Sequence, residues 1–293
     1  MSTKYNDLIG LSTGWRTMAY TWRDAVLYAL AVGAGWEEPQ YTYEKDLQCI
    51  PTFGVTPYWS TLNVSPKPPR PWSIPAILTD KLQPERPFVN YDYEFLYHCP
   101  IPPMKGSFLS RDVLTHLFDR GEGRGMVARS QVEVFDEGGN LLCTNRCATL
   151  FPSLGGYGGE PLPRRESRIP DRAPDFTADG QIAGNQHLLY RLTGDTNLVH
   201  IDRDTIQRQG LAGPVVHDLC AFGFACRLAV ETLFPGQPER LTRMYAAMKT
   251  VLYPDTPIQL QLWTLDAGKG AFRLTNRDSG KAILDRGELD WRV

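Results

Sequence analysis

The feature that most constrains this chain is a repeated order of elements, which any fold for its 293 residues has to accommodate twice. In the first half, Thr21 followed by Asp24 gives a capping-box-like start to a helix over residues 25–32, ended by Gly33. In the second half, Asn185 is placed to cap a helix over residues 188–192, which ends at Thr193 and Gly194. Tyr28-Ala-Leu-Ala-Val-Gly33 thereby lines up with Tyr190-Arg-Leu-Thr-Gly-Asp195. Each half next carries a proline and a mostly apolar run, residues 51–55 matching 214–218. In the second half the run continues through Leu219, Cys220, Phe222, Phe224, Ala225, Leu228, Ala229, Val230 and Phe234. Apolar residues on nearly every face suit a helix wrapped in a core rather than one lying on a surface.

Strands close each half. Residues 126–134 and 141–150 read as strands around a turn at 136–140. Ile258, Leu260 and Leu262 alternate with Gln259 and Gln261, a period-two strand. Phe272 and Leu274 begin another, and residues 282–291 form the last, after a turn at 278–280. The aromatic run 91–97 alternates in the same way and reads as a strand rather than a cofactor box. Between the halves, residues 155–175 carry Gly and Pro at a density that breaks helix and strand alike, so the segment reads as an extended, stiff linker. The expected organisation is a first half over 1–154, a linker over 155–176 and a second half over 177–293. One central helix wrapped by an antiparallel β-sheet, repeated twice, is the α+β plan of a double hotdog. The alternative is a single α+β domain whose halves resemble each other by coincidence.

Composition narrows the function classes. At 42% hydrophobic, 22% charged and net charge −2, nothing favours nucleic acid or an anionic membrane as the main partner. Arg164 and Arg165 read as a solvated loop, with phosphate binding as the sharper alternative. No apolar run approaches the roughly 20 residues that span a bilayer. The N-terminus lacks the apolar stretch of a secretory signal, and Trp291-Arg292-Val293 is not a Ser-Lys-Leu address. Six scattered cysteines without metal spacing fit buried thiols of an intracellular protein, so no metal site is expected. The expected location is cytoplasmic, with a peroxisomal matrix as the eukaryotic alternative.

The chemistry concentrates in residues 190–202, where Asp195, Asn197 and His200 fall close together after Gly194, whose freedom permits a tight turn. A carboxylate and an imidazole placed together can divide the work of adding water to a double bond: one takes a proton from water, the other gives one to carbon. Asn197 would orient the water or the loop. A polar turn with an incidental histidine explains the same residues equally well. Comparison of the halves favours the chemical reading: Gly33 lies opposite Asp195, Gly35 opposite Asn197 and Glu38 opposite His200. His217, at the start of the apolar helix, reads first as a packed histidine and second as a substrate contact. His98, His116 and His187 have no supporting cluster.

Tyr190-Arg-Leu-Thr-Gly-Asp-Thr-Asn-Leu-Val-His-Ile-Asp202, followed by Pro214-Val-Val-His-Asp-Leu-Cys-Ala-Phe-Gly223, resembles the signature of the MaoC-like, type 2 (R)-specific enoyl-CoA hydratases. Residues 28–35, 119–123 and 155–159 are similar to that family's first half. The resemblance implies reversible syn hydration of a trans-2-enoyl thioester to the (R)-3-hydroxyacyl thioester. Asp195 and His200 become the catalytic pair, Asn197 its support, and Tyr190, Gly194, Pro214, His217 and Gly223 the motif scaffold. It implies no cofactor: coenzyme A, or the phosphopantetheine of an acyl-carrier protein, enters as part of the substrate. It also implies a homodimer, and a first half that makes room for the acyl chain.

Two positions depart from the signature. Leu198 replaces a Pro. Asp218 stands where the family has the Gly whose backbone N–H serves the oxyanion hole. The N–H survives, but a carboxylate beside a developing enolate oxygen would oppose it unless turned away, toward Arg, Lys or backbone donors. It would otherwise recognise a polar group on an unusual substrate. Three rivals stay in view: a dehydratase for a bulky steroid or polyketide thioester, a non-catalytic thioester-binding protein whose oxyanion hole Asp218 has spoiled, and a scaffold subunit needing a partner.

Overall fold

The computed structural model describes residues 4–59, 64–65 and 73–293. The first three residues of the N-terminal stretch lie outside that range. The first half holds β1 (Arg16–Thr21), α1 (Trp22–Ala31), α2 (Pro39–Thr42), α3 (Thr56–Trp59), β2 (Val64–Ser65), α4 (Ile74–Leu82), β3 (Val89–Tyr97), β4 (Lys105–Asp119), β5 (Met126–Phe135) and β6 (Leu141–Phe151). A short β7 (Glu160–Pro161) follows. The second half holds β8 (Phe176–Gln181), α5 (Gln186–Arg191), α6 (Arg203–Arg208), α7 (Asp218–Leu233), β9 (Leu241–Met248), β10 (Pro257–Asp266), β11 (Lys269–Asn276) and β12 (Ala282–Trp291).

The strands form one sheet in the order β2-β1-β4-β5-β6-β3-β9-β12-β11-β10-β8. All neighbours on this path are antiparallel, and β7 runs parallel to β4 off it. The halves meet where β3 pairs with β9, from Asp92 opposite Ala247 to Leu96 opposite Arg243. Outward from that seam the first half reads β3, β6, β5, β4, β1 and the second β9, β12, β11, β10, β8. These are the same positions of one repeated plan, and the fold is the double hotdog. Helices α1 and α7 share one hydrophobic core with the inner faces of both half-sheets, including Phe95, Phe108, Val132, Leu260 and Phe272.

The elements start and stop for local reasons. Thr21 and Asp24 close the expected capping box at the head of α1, with the Thr21 N–H donating to Asp24 Oδ2 at 2.8 Å. Helix α7 is buried continuously from Leu219 to Val230, as its apolar faces require. The first half differs at the matching place. Its apolar run forms a 3-10 turn over Pro51–Val55 and then only the short α3. Pro57 explains the break: it has no N–H to give Phe53, and in an α-helix its ring would clash with the Phe53 carbonyl. Among the described residues the first half therefore has no helix of α7's length at that place. Strands β1, β4, β8 and β9 carry no strand expectation from the sequence, yet they complete the repeat.

The segment after β7 crosses the face of the sheet away from the helices. Leu162 packs there against Phe118, Val127, Ala148, Tyr91 and Leu150. Arg165 is a structural pin rather than a solvated loop residue: it pairs with Glu288 at 2.9 Å, and its guanidinium lies 3.4 Å from the centre of the Tyr245 ring. Glu288 also pairs with Arg243 at 3.0 Å, Arg243 with Glu94 at 2.7 Å, and Glu94 with Arg146 at 3.0 Å. Isolated surface pairs contribute little, but these are linked across β6, β3, β9 and β12 and so fix the register of the seam. The glycines of 155–159 also have a specific partner. The Asp119 carboxylate accepts N–H bonds from Gly121, Gly156, Gly158 and Gly159 at 2.8, 2.8, 2.7 and 3.3 Å. Among the described residues, no helix is long and apolar enough to cross a membrane.

Candidate active site

The site is built where the end of α5 meets the head of α7. Tyr190 is buried on the last turn of α5. The chain then leaves the helix through Thr193, whose hydroxyl donates to the Tyr190 carbonyl at 2.7 Å. Gly194 takes φ 121°, a conformation that side chains disfavour, and turns the chain toward the core. The Asp195 carboxylate accepts the Asn197 N–H at 3.2 Å. Asn197 is exposed, and its Oδ1 accepts the Val199 N–H at 3.4 Å, capping a 3-10 turn over Leu198–His200. That turn delivers the buried His200 ring.

From the other side, Val216 is fixed by its N–H bond to the Leu252 carbonyl at 2.7 Å, after a half-buried Pro214. His217 is the N-cap residue of α7, and Asp218 is the first residue of the helix. Gly223, one turn further on, packs directly against Val32 and Tyr28 of the first half.

His217 is not a bystander. Its ring stacks on His200 with centroids 3.4 Å apart and planes 23° apart, and it touches Tyr190 at 4.8 Å. Its Nε2 lies 3.3 Å from the Asp195 backbone oxygen. His200 Nδ1 lies 2.7 Å from the Val215 carbonyl. A carbonyl only accepts, so both of these nitrogens carry the proton. In the neutral rings this leaves a lone pair on His200 Nε2 and another on His217 Nδ1. The latter is buried with no partner among the described residues.

Burial, helped by the charge of Asp218, raises the Asp195 carboxyl to about 6. Burial lowers His200 to about 4; the Val215 bond opposes the shift, while nearby His187 and Arg191 add to it. Burial and the stacked His200 lower His217 to about 2. The carboxyl thus holds a proton more readily than the imidazole beside it, the reverse of their order in water. Both rings should therefore stay uncharged at pH 6, where an exposed histidine is largely protonated. Ring nitrogen NMR shifts check this directly: His200 is expected as the Nδ1–H form and His217 as the Nε2–H form, and a charged ring at pH 6 would contradict the burial argument.

Asp195, His200 and His217 offer donor atoms within 4.8 Å of one another. A metal would have to lie near the plane of each imidazole it binds, at about 2.0–2.1 Å for zinc. Two rings stacked nearly parallel do not aim their lone pairs at one point, so the trio suits proton transfer better than metal binding.

The Asp218 carboxylate is turned to one side, but not to Arg, Lys or backbone as the sequence suggests. Its Oδ2 accepts from Asn90 Nδ2 at 3.0 Å. Asn90 lies on β3 of the first half. Sequence reasoning missed it, because a lone Asn beside an aromatic strand carries no local signal.

The first-half counterparts have structural duties. Glu38 makes a two-oxygen ion pair with Arg227 Nη1, both at 2.8 Å, and accepts the Gly35 N–H at 3.2 Å. Arg227 is buried on α7 and also donates to the Val32 carbonyl at 3.0 Å. Glu38→Gln should leave turnover within about 3-fold of wild type. It should cost about 1–3 kcal/mol of stability, because the nearly buried Arg227 loses its counter-charge. Urea denaturation and an activity assay on the same preparation check both halves of this expectation; turnover loss without stability loss would contradict it.

His98 and His116 stay outside the site, bonded to Thr144 at 3.0 Å and stacked on Phe118 at 5.4 Å. His187 is buried on α5. A groove of about 830 Å³, lined by Tyr91, Arg120, Arg124, Arg165, Tyr245 and Lys249 among others, contains none of Asp195, Asn197, His200 or Asp218.

Residues 18–152 match the MFE-2 hydratase 2 N-terminal domain, and residues 165–282 match the MaoC like domain. The chain is 28% identical over 302 residues to 3-hydroxyacyl-thioester dehydratase Y of Mycobacterium tuberculosis, covering 97% of each. It is 26% identical over 281 residues to the mouse peroxisomal multifunctional enzyme type 2, covering 93% of this chain but only 36% of that longer protein. The fold matches a MaoC-like dehydratase from Phytophthora capsici with a TM-score of 0.83 at 24% identity, covering 99% of both chains. The chain therefore belongs to the MaoC-like dehydratase and hydratase 2 family, whose members include enoyl-CoA hydratases and 3-hydroxyacyl-thioester dehydratases.

Proposed function

We propose that this chain adds water to a trans-2-enoyl thioester to give the (R)-3-hydroxyacyl thioester, and catalyses the reverse. The observation that carries the reading is the Asp195–His200 pair, whose carboxylate and imidazole atoms lie within 4.8 Å of each other beside the head of a buried helix. Water is held between the carboxyl group and His200 Nε2. Its oxygen attacks C3 while Nε2 takes a proton from it, and protonated Asp195 gives its own proton to C2 on the same face. A proton then passes from His200 back to Asp195, so the enzyme returns to its starting state and one water has been added. In the reverse direction Asp195 first passes its proton to His200 Nε2; it then takes the C2 proton while His200 gives one to the departing hydroxyl.

The negative charge that develops on the thioester oxygen needs donors. As the first residue of α7, Asp218 carries an N–H that the helix cannot satisfy, and the helix dipole favours an anion there. Coenzyme A or a carrier-protein phosphopantetheine arrives with the substrate, and the first half accommodates the acyl chain. The test is hydration of crotonyl-CoA and of a long-chain enoyl-CoA, followed as loss of the enone absorbance. Turnover is expected with at least one of them. Binding of both without turnover would favour the non-catalytic thioester-binding rival.

A further inference from the structure

A carboxylate at the first position of a helix has an ordinary explanation, since it complements the helix dipole. Asp218 differs in its surroundings. It begins a helix buried from Leu219 to Val230, it is itself half-buried, and it lies near enough to Asp195 for its charge to be felt there. A free rotamer would let its oxygens swing over its own N–H, the donor that a thioester oxyanion needs. What prevents this is a residue from the other half of the molecule. Asn90, next to the start of β3, donates its amide to Asp218 Oδ2 at 3.0 Å. The other amide atom, Asn90 Oδ1, is buried with no partner among the described residues. Leaving a buried acceptor unsatisfied costs free energy, so the side chain is held there at the expense of its own second hydrogen bond. The backbone supports the placement. The pairing of β3 with β6 shifts register between Asn90 and Asp92, a bulge of the kind that re-aims a side chain.

We propose that Asn90 is a positioning residue for the site in the second half: it holds the Asp218 carboxylate aside so that the Asp218 N–H stays open to the oxyanion. This rests on the hydratase reading above. It also gives the first half a part in the reaction that the loss of its own acid-base residues does not suggest. Asn90 touches no reacting atom and acts only through Asp218, so its effect has to vanish when the carboxylate is removed.

The test is a four-protein cycle with crotonyl-CoA: wild type, Asn90→Ala, Asp218→Gly and the double variant, each checked by thermal melting. Asn90→Ala is expected to lower kcat by about 10-fold with KM within about 3-fold, because the lost interaction belongs to the transition state. In the Asp218→Gly background the same change should alter kcat by less than about 2-fold. Asn90→Ser keeps a short donor and should recover part of the loss; it also replaces the Ala variant in the cycle if that one fails to fold. Equal losses in both backgrounds, or no loss in either, would overturn the inference while leaving the hydratase reading intact. If none of the four folded proteins hydrates any enoyl thioester, the hydratase reading falls, and this inference with it.

Discussion

Asp195→Asn and His200→Gln are each expected to keep the fold and to remove all but about 10⁻² to 10⁻⁴ of turnover. Neither change alters volume much, and both sites lie in a loop fixed by backbone bonds that survive. Asn in place of Asp195 can still accept the Asn197 N–H, but it has no proton to give to C2. Gln in place of His200 can still bond the Val215 carbonyl, but it offers no basic lone pair to water. Because the two groups act on one water in the proposed reaction, losing the second after the first should cost little more. The double variant is therefore expected within about 10-fold of the slower single variant, whereas independent contributions would multiply. Circular dichroism and thermal melting establish that the variants are folded, and enone absorbance reads the rate. A folded single variant retaining more than about a tenth of wild-type turnover would show that the pair is misassigned.

What the sequence discloses and what it hides follow from the range over which the relevant forces act. The loop from Tyr190 to Asp202 is legible because its residues are neighbours in the chain: Gly194 turns it, Asn197 caps the next turn, and Asp195 and His200 are carried along. Helix α7 is legible because a helix buried on every side has to be apolar on every side. The involvement of His217 is half legible, since its place at the head of α7 is clear but its stacking on His200 depends on how two loops meet. Asn90 and Arg227 are not legible at all. Their partners, Asp218 and Glu38, lie 128 and 189 positions away, and a single polar residue has no periodicity to betray it. The same limit hides β9, which pairs with β3 across the seam and with β12 rather than with a neighbour across an adjacent turn.

Gly33 shows how the same alignment can follow the repeated plan of the fold and be incomplete about cause. Set opposite Asp195, it reads as a catalytic position given up, and on that view Gly33→Asp should be tolerated. The structure gives it two other duties. It follows the C-cap of α1 with φ 83°, and the bonds from Gly33 N to Leu30 O at 3.1 Å and from Ala34 N to Ala29 O at 2.9 Å close the helix as a Schellman motif. A Cβ at this position would lie 2.2 Å from Cε1 of Phe224, a ring on α7 that is 1% exposed and has nowhere to withdraw. The left-handed backbone costs about 1–2 kcal/mol for most side chains, less for Asp, and overpacking a filled core adds about 1–3 kcal/mol. Gly33→Val is therefore expected to lose roughly 3 kcal/mol or more, and Gly33→Asp nearly as much, because a buried carboxylate without partners replaces part of the relieved backbone strain. Gly35→Ala is the control: its Cβ would meet nothing within 4 Å, so its stability should stay within about 0.5 kcal/mol of wild type. Urea midpoints at an unchanged m-value measure all three changes. Since Phe224 sits on the helix that begins at Asp218, the Gly33 variants should also lose turnover in the second half, although Gly33 lies in the first. If Gly33→Asp melts like wild type, the close approach to Phe224 is not what excludes a side chain here, and the idea of a simply vacated catalytic position regains its force.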